Sequence, residues 1–269
     1  MAGGLSGLIK RKKVSSVAVD RDQLKQALDE ELRSAAFNDY CPNGLQVEGS
    51  ASISRLVSGV TASQALIDRA IALEADAILV HHGYFWRGED PCLVGMKGRR
   101  VSALIRADIN LFAYHLPLDN HPALGNNAGL GMALNLSSWE SLKENDASYP
   151  VFTGSYEGNR PLSEVTQGLS EVLGRSVTAI GEADTPVRSV AWCTGGGQGY
   201  IDDAADAGVD LFITGEISEQ TVHVARERNI AFIAAGHHAT ERFGAQALGD
   251  WVAKKFDIEH EFVDIYSPA

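Results

Sequence analysis

Apolar residues along this chain gather in short dense runs, separated by stretches in which they recur every three or four positions. The runs are Arg55–Thr61, Ala77–Val80, Ile109–Tyr114, Arg188–Thr194, Leu211–Thr214 and Ile230–Ala235. A short run that is apolar throughout reads as a strand covered on both faces, the kind found in parallel sheets. The intervening stretches read as amphipathic helices. Asp20–Leu32 places Leu24, Leu28 and Leu32 on one face, and Ala62–Leu73, the segment around Ile201–Ala207, and Ser218–Arg228 are further helices. Asp39–Gly44 reads as a turn and Leu45–Val47 as a short strand. Strands alternating with helices predict an α/β protein with substantial parallel sheet.

Two segments share one layout. Arg55–Thr61, a helix, Ala75–Val80 and His81-His82-Gly83 match Arg188–Thr194, a helix, Gly208–Thr214 and Gly215-Glu216. In each, an aspartate (Asp76 or Asp210) lies five residues before the histidine or glycine that closes the second strand. Further on, Ile109–His115 corresponds to Ile230–His237 with a one-residue gap, and each is followed by His-x-x-x-carboxylate: His115 to Asp119, and His237 to Glu241. This predicts an internal duplication, with two topologically similar α/β domains at about residues 21–136 and 137–269. Residues 137–185 would carry the opening elements of the second unit and the crossover between halves.

Residues 1–20 read as a flexible extension, with an apolar Leu5–Ile9 followed by Lys10-Arg11-Lys12-Lys13. That order is the reverse of a secretory leader, where charge precedes a longer apolar segment. No run approaches the roughly 18 apolar residues of a membrane-spanning helix. With 45% hydrophobic residues among 269, there is ample material for packed cores. The formal net charge of −12 disfavours binding to a phosphate backbone. The three cysteines, Cys41, Cys92 and Cys193, are scattered and form no Cys-x-x-Cys, so neither a disulfide framework nor a thiolate zinc ribbon is indicated. Cys92 and Cys193 read as buried small apolar residues, and a cytoplasmic setting fits best.

Histidine is scarce, eight in the whole chain, yet four of the eight form two pairs, His81-His82 and His237-His238, each following an apolar run. Ligands of open α/β sheets sit beyond the carboxyl ends of the strands. Histidines and carboxylates gathered there suit zinc, iron, manganese or nickel. Candidates are His81, His82, His115, Asp119, His121, Glu216, His237, His238 and Glu241. On a helix, His237 and Glu241 lie one turn apart on one face and can share an ion. Two carboxylates among about five ligands also allow a bridged pair of ions. Tyr84-Phe85-Trp86 would cover the pocket or stack on a planar substrate. Thr194-Gly195-Gly196-Gly197 lacks the Gly-Lys-Ser/Thr of a P-loop and reads as a turn, as does Asn126-Asn127. His223 sits on a helix and reads as a second-layer or surface residue.

Val80–Trp86, His115-Leu-Pro-Leu-Asp119, Gly125-Asn126-Asn127, Thr214-Gly215-Glu216 and Gly236-His237-His238-Ala-Thr-Glu241 closely resemble the Nif-three-like family, whose bacterial members include GTP cyclohydrolase type-two homologues. The resemblance runs from about Asp20 to the C-terminus. It implies a homohexameric toroid and two divalent ions in the cleft between two α/β domains. Carried over motif by motif, it implies His81, His82, Asp119, His237 and Glu241 as ligands. Glu216 and His115 then support the ligands or transfer protons. A metal-dependent hydrolase acting on a nucleotide or pterin-type small molecule is the first functional expectation. A non-catalytic metal carrier or regulatory scaffold working through a partner protein is the second.

Overall fold

The computed structural model describes residues 17–136, 138–143, 146 and 148–269. The basic Lys10–Lys13 run lies outside them. The first half of the chain forms β1 (Val19–Asp20), α1 (Arg21–Leu32), β2 (Gly44–Val47), β3 (Ser52–Ile53), β4 (Arg55–Thr61), α2 (Gln64–Ala72), β5 (Ala77–His82), α3 (Gly95–Ala107), β6 (Asn110–Ala113), α4 (Leu116–Asp119) and α5 (Asn126–Ala133). The second half forms β7 (Trp139–Ser141), β8 (Phe152–Pro161), α6 (Leu162–Leu173), β9 (Thr178–Ile180), β10 (Pro186–Cys193), α7 (Ile201–Asp206), β11 (Leu211–Thr214), α8 (Glu219–Glu227), β12 (Ala231–Ala234), α9 (His237–Thr240), α10 (Arg242–Phe256) and β13 (Glu259–Phe262). The protein is a mixed α/β fold built on two large sheets. Among the described residues, no helix is long and apolar enough to cross a membrane.

One sheet has the order β13-β4-β5-β6-β2, and its first four strands run parallel. The other has the order β7-β8-β10-β11-β12-β9, with β10, β11 and β12 parallel at its centre. The repeated aspartates explain why the two halves look alike in sequence. Asp76 Oδ2 accepts from Ser54 N, Ser54 Oγ and Arg55 N, at 2.8, 2.8 and 3.0 Å. Asp210 Oδ2 accepts from Arg188 N, Ser189 N and Ser189 Oγ, at 2.9, 2.8 and 2.8 Å. Each carboxylate thus ties the start of one central strand to the start of the next and helps fix their register.

Alternation within the strands sends residues to both faces. Val57, Ile78, Val80 and Leu111 pack against Leu66 and Ile67 of α2 and Val101 and Leu104 of α3. Leu56, Leu79 and Phe112 pack against Leu24, Leu28 and Leu32 of α1 and Leu248 and Val252 of α10. In the second sheet, Val190, Trp192, Leu211 and Ile213 meet α6, and Ala191, Phe212 and Phe232 meet α7 and α8.

The chain crosses between the sheets. Leu130 of α5 belongs to the core of the second sheet, whereas α10 and β13 return to the first. Val19 and Asp20, read from sequence as the end of a loose extension, instead pair with Ile53 and Ser52, and Asp20 caps α1 by accepting from Asp22 N and Gln23 N.

Candidate metal centre

β5 delivers two consecutive histidines. Neighbouring residues of a strand point to opposite faces, but this pair sits at the strand's end, where both rings reach the cleft with centroids 4.5 Å apart. His81 is fully buried, and its Nδ1 donates to Tyr114 O at 3.0 Å. That leaves Nε2 facing Asp119 Oδ1 and Glu241 Oε1, each at 3.4 Å. Asp119 arrives at the end of α4, a single turn after β6 with Pro117 near its start.

The second sheet supplies the facing groups. Two residues past β12, Gly236, with a φ of 101°, turns the chain into α9. His237 Nε2 then lies 3.1 Å from Glu241 Oε2, and His82 Nε2 lies 3.3 Å from the same oxygen. Two triads result, His81–Asp119–Glu241 and His82–His237–Glu241, and within each the ligand atoms lie within 4.8 Å of one another. They share Glu241, one carboxylate oxygen to each.

The protonation of these groups is mutually frustrated. Burial alone would lower His81, but Asp119 and Glu241 outweigh it and push it up to about 9. Burial likewise acts against His237, and the nearby Glu241 and Glu216 carboxylates push it up to about 9. Burial pushes His82 down to about 3 despite Glu241, helped by the neighbouring imidazoles. Burial also raises Asp119, whereas Glu241 is held well below the usual range by the histidines, against its own burial. His81 Nε2 and Glu241 Oε2 are buried yet lack a well-formed hydrogen bond. Such orphaned atoms are costly without a partner. A cation suits this set of donors better than shared protons do.

Supporting residues come from loops. Glu216 Oε1 lies 2.7 Å from His237 Nδ1, so it orients that ring from outside the cluster. His115 Nδ1 lies 2.7 Å from Asp39 Oδ1, and its ring stands 5.0 Å from His81 and 5.7 Å from His82. Asp39 also accepts from Tyr40 N, Asn43 Nδ2 and Leu116 N. Burial would raise Asp39, but the His115 bond and charge outweigh it and hold it at about 2.

Asn126 and Asn127 do more than the local turn expected of them. Both are fully buried. Asn126 donates to Asp119 Oδ1 at 2.9 Å and accepts from Gly244 N, while Asn127 accepts from Thr194 N, joining the two halves. Thr194 Oγ1 also donates to Asp119 Oδ1, at 3.2 Å. Asp39 and Thr194, which the sequence reads only as parts of turns, are neighbours of the candidate centre. The Thr-Gly-Gly-Gly turn has a further purpose: at Gly195 (φ 67°), a Cβ would overlap the Glu241 carboxylate.

Other candidates lie elsewhere. His238 Nε2 pairs with Asp264 at 2.8 Å. His121 Nδ1 accepts from Ala123 N and Leu124 N, and its Nε2 faces Glu31 at 3.5 Å. His223 is an exposed residue on α8. Cys193 is buried in the cleft wall, but Cys92 is exposed, contrary to the reading of it as a core residue, because the segment Asp90–Met96 lies on the surface. Trp86 reaches the site, with its ring 5.8 Å from His82 and 5.0 Å from His115, whereas the Tyr84 hydroxyl is turned away to Ala62 O. The centre opens into a cavity of about 990 Å³, walled in part by Tyr40, Trp86, Tyr200 and Tyr266.

The family model for Duf34/NIF3 (NGG1p interacting factor 3) matches residues 19–268. The chain belongs to the Duf34/NIF3 family. A Pseudomonas aeruginosa relative named "GTP cyclohydrolase 1 type 2 homolog" is 52% identical over 253 residues, covering 94% of this chain and 100% of the relative. A Haemophilus influenzae relative of the same name is 51% identical over 248 residues, covering 92% and 98%. Among solved structures, a protein described as ybgI, of unknown function, superposes with a TM-score of 0.88 at 49% identity, covering 93% of this chain and all of that one. The Duf34/NIF3 fold thus accounts for both sheets and for the strand ends on which the histidines lie.

Proposed function

We propose that this chain is a dinuclear metal protein and a metal-dependent hydrolase. One divalent ion would lie in the His81–Asp119–Glu241 triad and one in the His82–His237–Glu241 triad. The observation that carries this reading is Glu241, a buried carboxylate whose two oxygens face two separate histidine sets. With imidazole and carboxylate donors, zinc, iron, manganese and nickel all fit. Such ions, when bound, supply Lewis acidity for polarising a substrate or acidifying a water. The chain's own groups supply the rest. Asn126 and Thr194 fix Asp119, Glu216 fixes His237, and the Asp39-oriented His115 stands beside both β5 histidines, placed to carry a proton. The cavity accommodates a nucleotide-sized or pterin-sized molecule, in keeping with the cyclohydrolase name its relatives bear. A homohexamer is part of this reading, to be checked by light scattering.

The test is metal analysis of protein purified without chelator, followed by a turnover screen over nucleotides and pterins. Two ions per chain and metal-dependent turnover are expected, with Glu241→Ala losing both. Intact turnover by metal-free protein would overturn the reading. Exchangeable metal without turnover would favour the carrier reading instead.

A further inference from the structure

The cavity in front of the centre contains a cation that the proposed metal chemistry does not use. Arg100, on α3, is the one arginine or lysine among the described residues that line it. Arg100 Nε is buried and has no hydrogen-bond partner, in the same condition as His81 Nε2 and Glu241 Oε2. Those two atoms are explained by the candidate ions, whereas Arg100 has nothing comparable. The other charged group on that part of the wall, Glu89, is already engaged: it accepts from Phe85 N and Trp86 N and faces Lys97 Nζ at 3.4 Å. A guanidinium with a desolvated, unpaired N–H is costly, and an oxyanion is the partner its fork fits best.

Its surroundings favour the same class of ligand. Thr61, Ser63 and Leu66, at and just before the N-terminus of α2, line the same cavity. Ser63 Oγ caps Leu66 N, and the amides of Gln64 and Ala65 precede the first intrahelical bond, from Ile67 N to Ser63 O. The partial positive charge of that helix end adds to the arginine's. Tyr84 lines the same cavity as Arg100, and its hydroxyl donates to Ala62 O at 2.7 Å, just before α2. The metal centre is adjacent, because Thr61 Oγ1 lies 3.3 Å from His82 Nδ1 and Ala62 N donates to His82 O.

We infer that Arg100, with the first turn of α2, forms a subsite for an oxyanion, a phosphate or carboxylate of the ligand, and so orients an anionic small molecule with its remaining groups toward the His82–His237–Glu241 triad. This assignment deepens the proposed hydrolase by naming a substrate class, and it rests on that reading for its purpose but not for its test. Arg100 is a specificity-determining residue and touches no metal ligand.

The experiment is a calorimetric titration of the full chain with inorganic phosphate and, separately, with acetate. Each titration uses metal-loaded protein and protein stripped by chelator, and compares the wild type with Arg100→Gln and Arg100→Lys. Phosphate is expected to bind the stripped wild type and to weaken at least about tenfold in Arg100→Gln, the loss of one charge-assisted contact. Arg100→Lys should fall between the two. Preference for phosphate over acetate identifies a phosphorylated ligand, and the reverse preference a carboxylate. Metal content should be unchanged in both variants. Equal anion affinity in Arg100→Gln and wild type, or no anion binding to the stripped wild type, would overturn the subsite. A protein that takes up no metal yet binds phosphate through Arg100 would overturn the hydrolase reading alone.

Discussion

Glu241 meets three of the four histidines clustered at the centre, and its neighbours show which site residues a sequence can reveal. His81, His82 and His237 were legible as candidates because each pair follows an apolar run, and strand ends are where open sheets place ligands; Glu241 was legible by its spacing from His237. Asp119 was visible as a repeated His-x-x-x-carboxylate. Asp39 was not legible, because a lone aspartate in a turn becomes the partner of His115, 76 positions away in sequence, only once the chain has folded. Its folded carboxyl sits at about 2, below its ordinary 3.8. A carboxylate with a depressed folded pKa stabilises the fold above its unfolded pKa and loses that contribution as pH falls toward the folded one. Asp39→Asn is therefore expected to cost about 1–2 kcal/mol near neutrality. The wild-type advantage should vanish between about pH 4 and pH 2, read by urea unfolding across that range. Metal content should stay near the wild-type level, because Asp39 reaches the centre only through His115.

Elements were legible where their signals are local. α1 begins at a capping aspartate and ends as Arg33 turns left-handed at φ 51°, and its leucine stripe is buried as the period predicts. The turn after β10 was legible as a turn but not as a clearance, since only the fold brings α9 over it. Gly195 is held at φ 67°, so Gly195→Ala adds backbone strain of about 1 kcal/mol as well as a clash with Glu241. The expected result is loss of bound metal with the far-UV circular dichroism retained. Gly199→Ala, where a Cβ would meet nothing within 4 Å, should keep wild-type metal content. Equal metal loss in both variants would locate the effect in the turn's flexibility rather than in the space beside Glu241.

At the scale of the molecule, the candidate centre gathers side chains from the ends of both sheets, so ions bound there would fasten one sheet to the other. Ligand bound only by the native state at a hundred times its dissociation constant adds about 2.7 kcal/mol. In a protein of this size that corresponds to a rise in Tm of roughly 5–10 °C. Scanning calorimetry with added zinc or manganese against chelator should show that rise in the wild type and little of it in Glu241→Gln. What sequence could not show at this scale is the path of the chain, because strand pairing across two hundred positions leaves no local trace. β13 is hydrogen-bonded beside β4, with Glu259 opposite Arg55 and Phe262 opposite Ser58. During synthesis, then, the first sheet cannot close when its own half leaves the ribosome. Until the final segment emerges, β4 offers an open edge, and the nascent chain must wait, shielded or exposed, for its last strand.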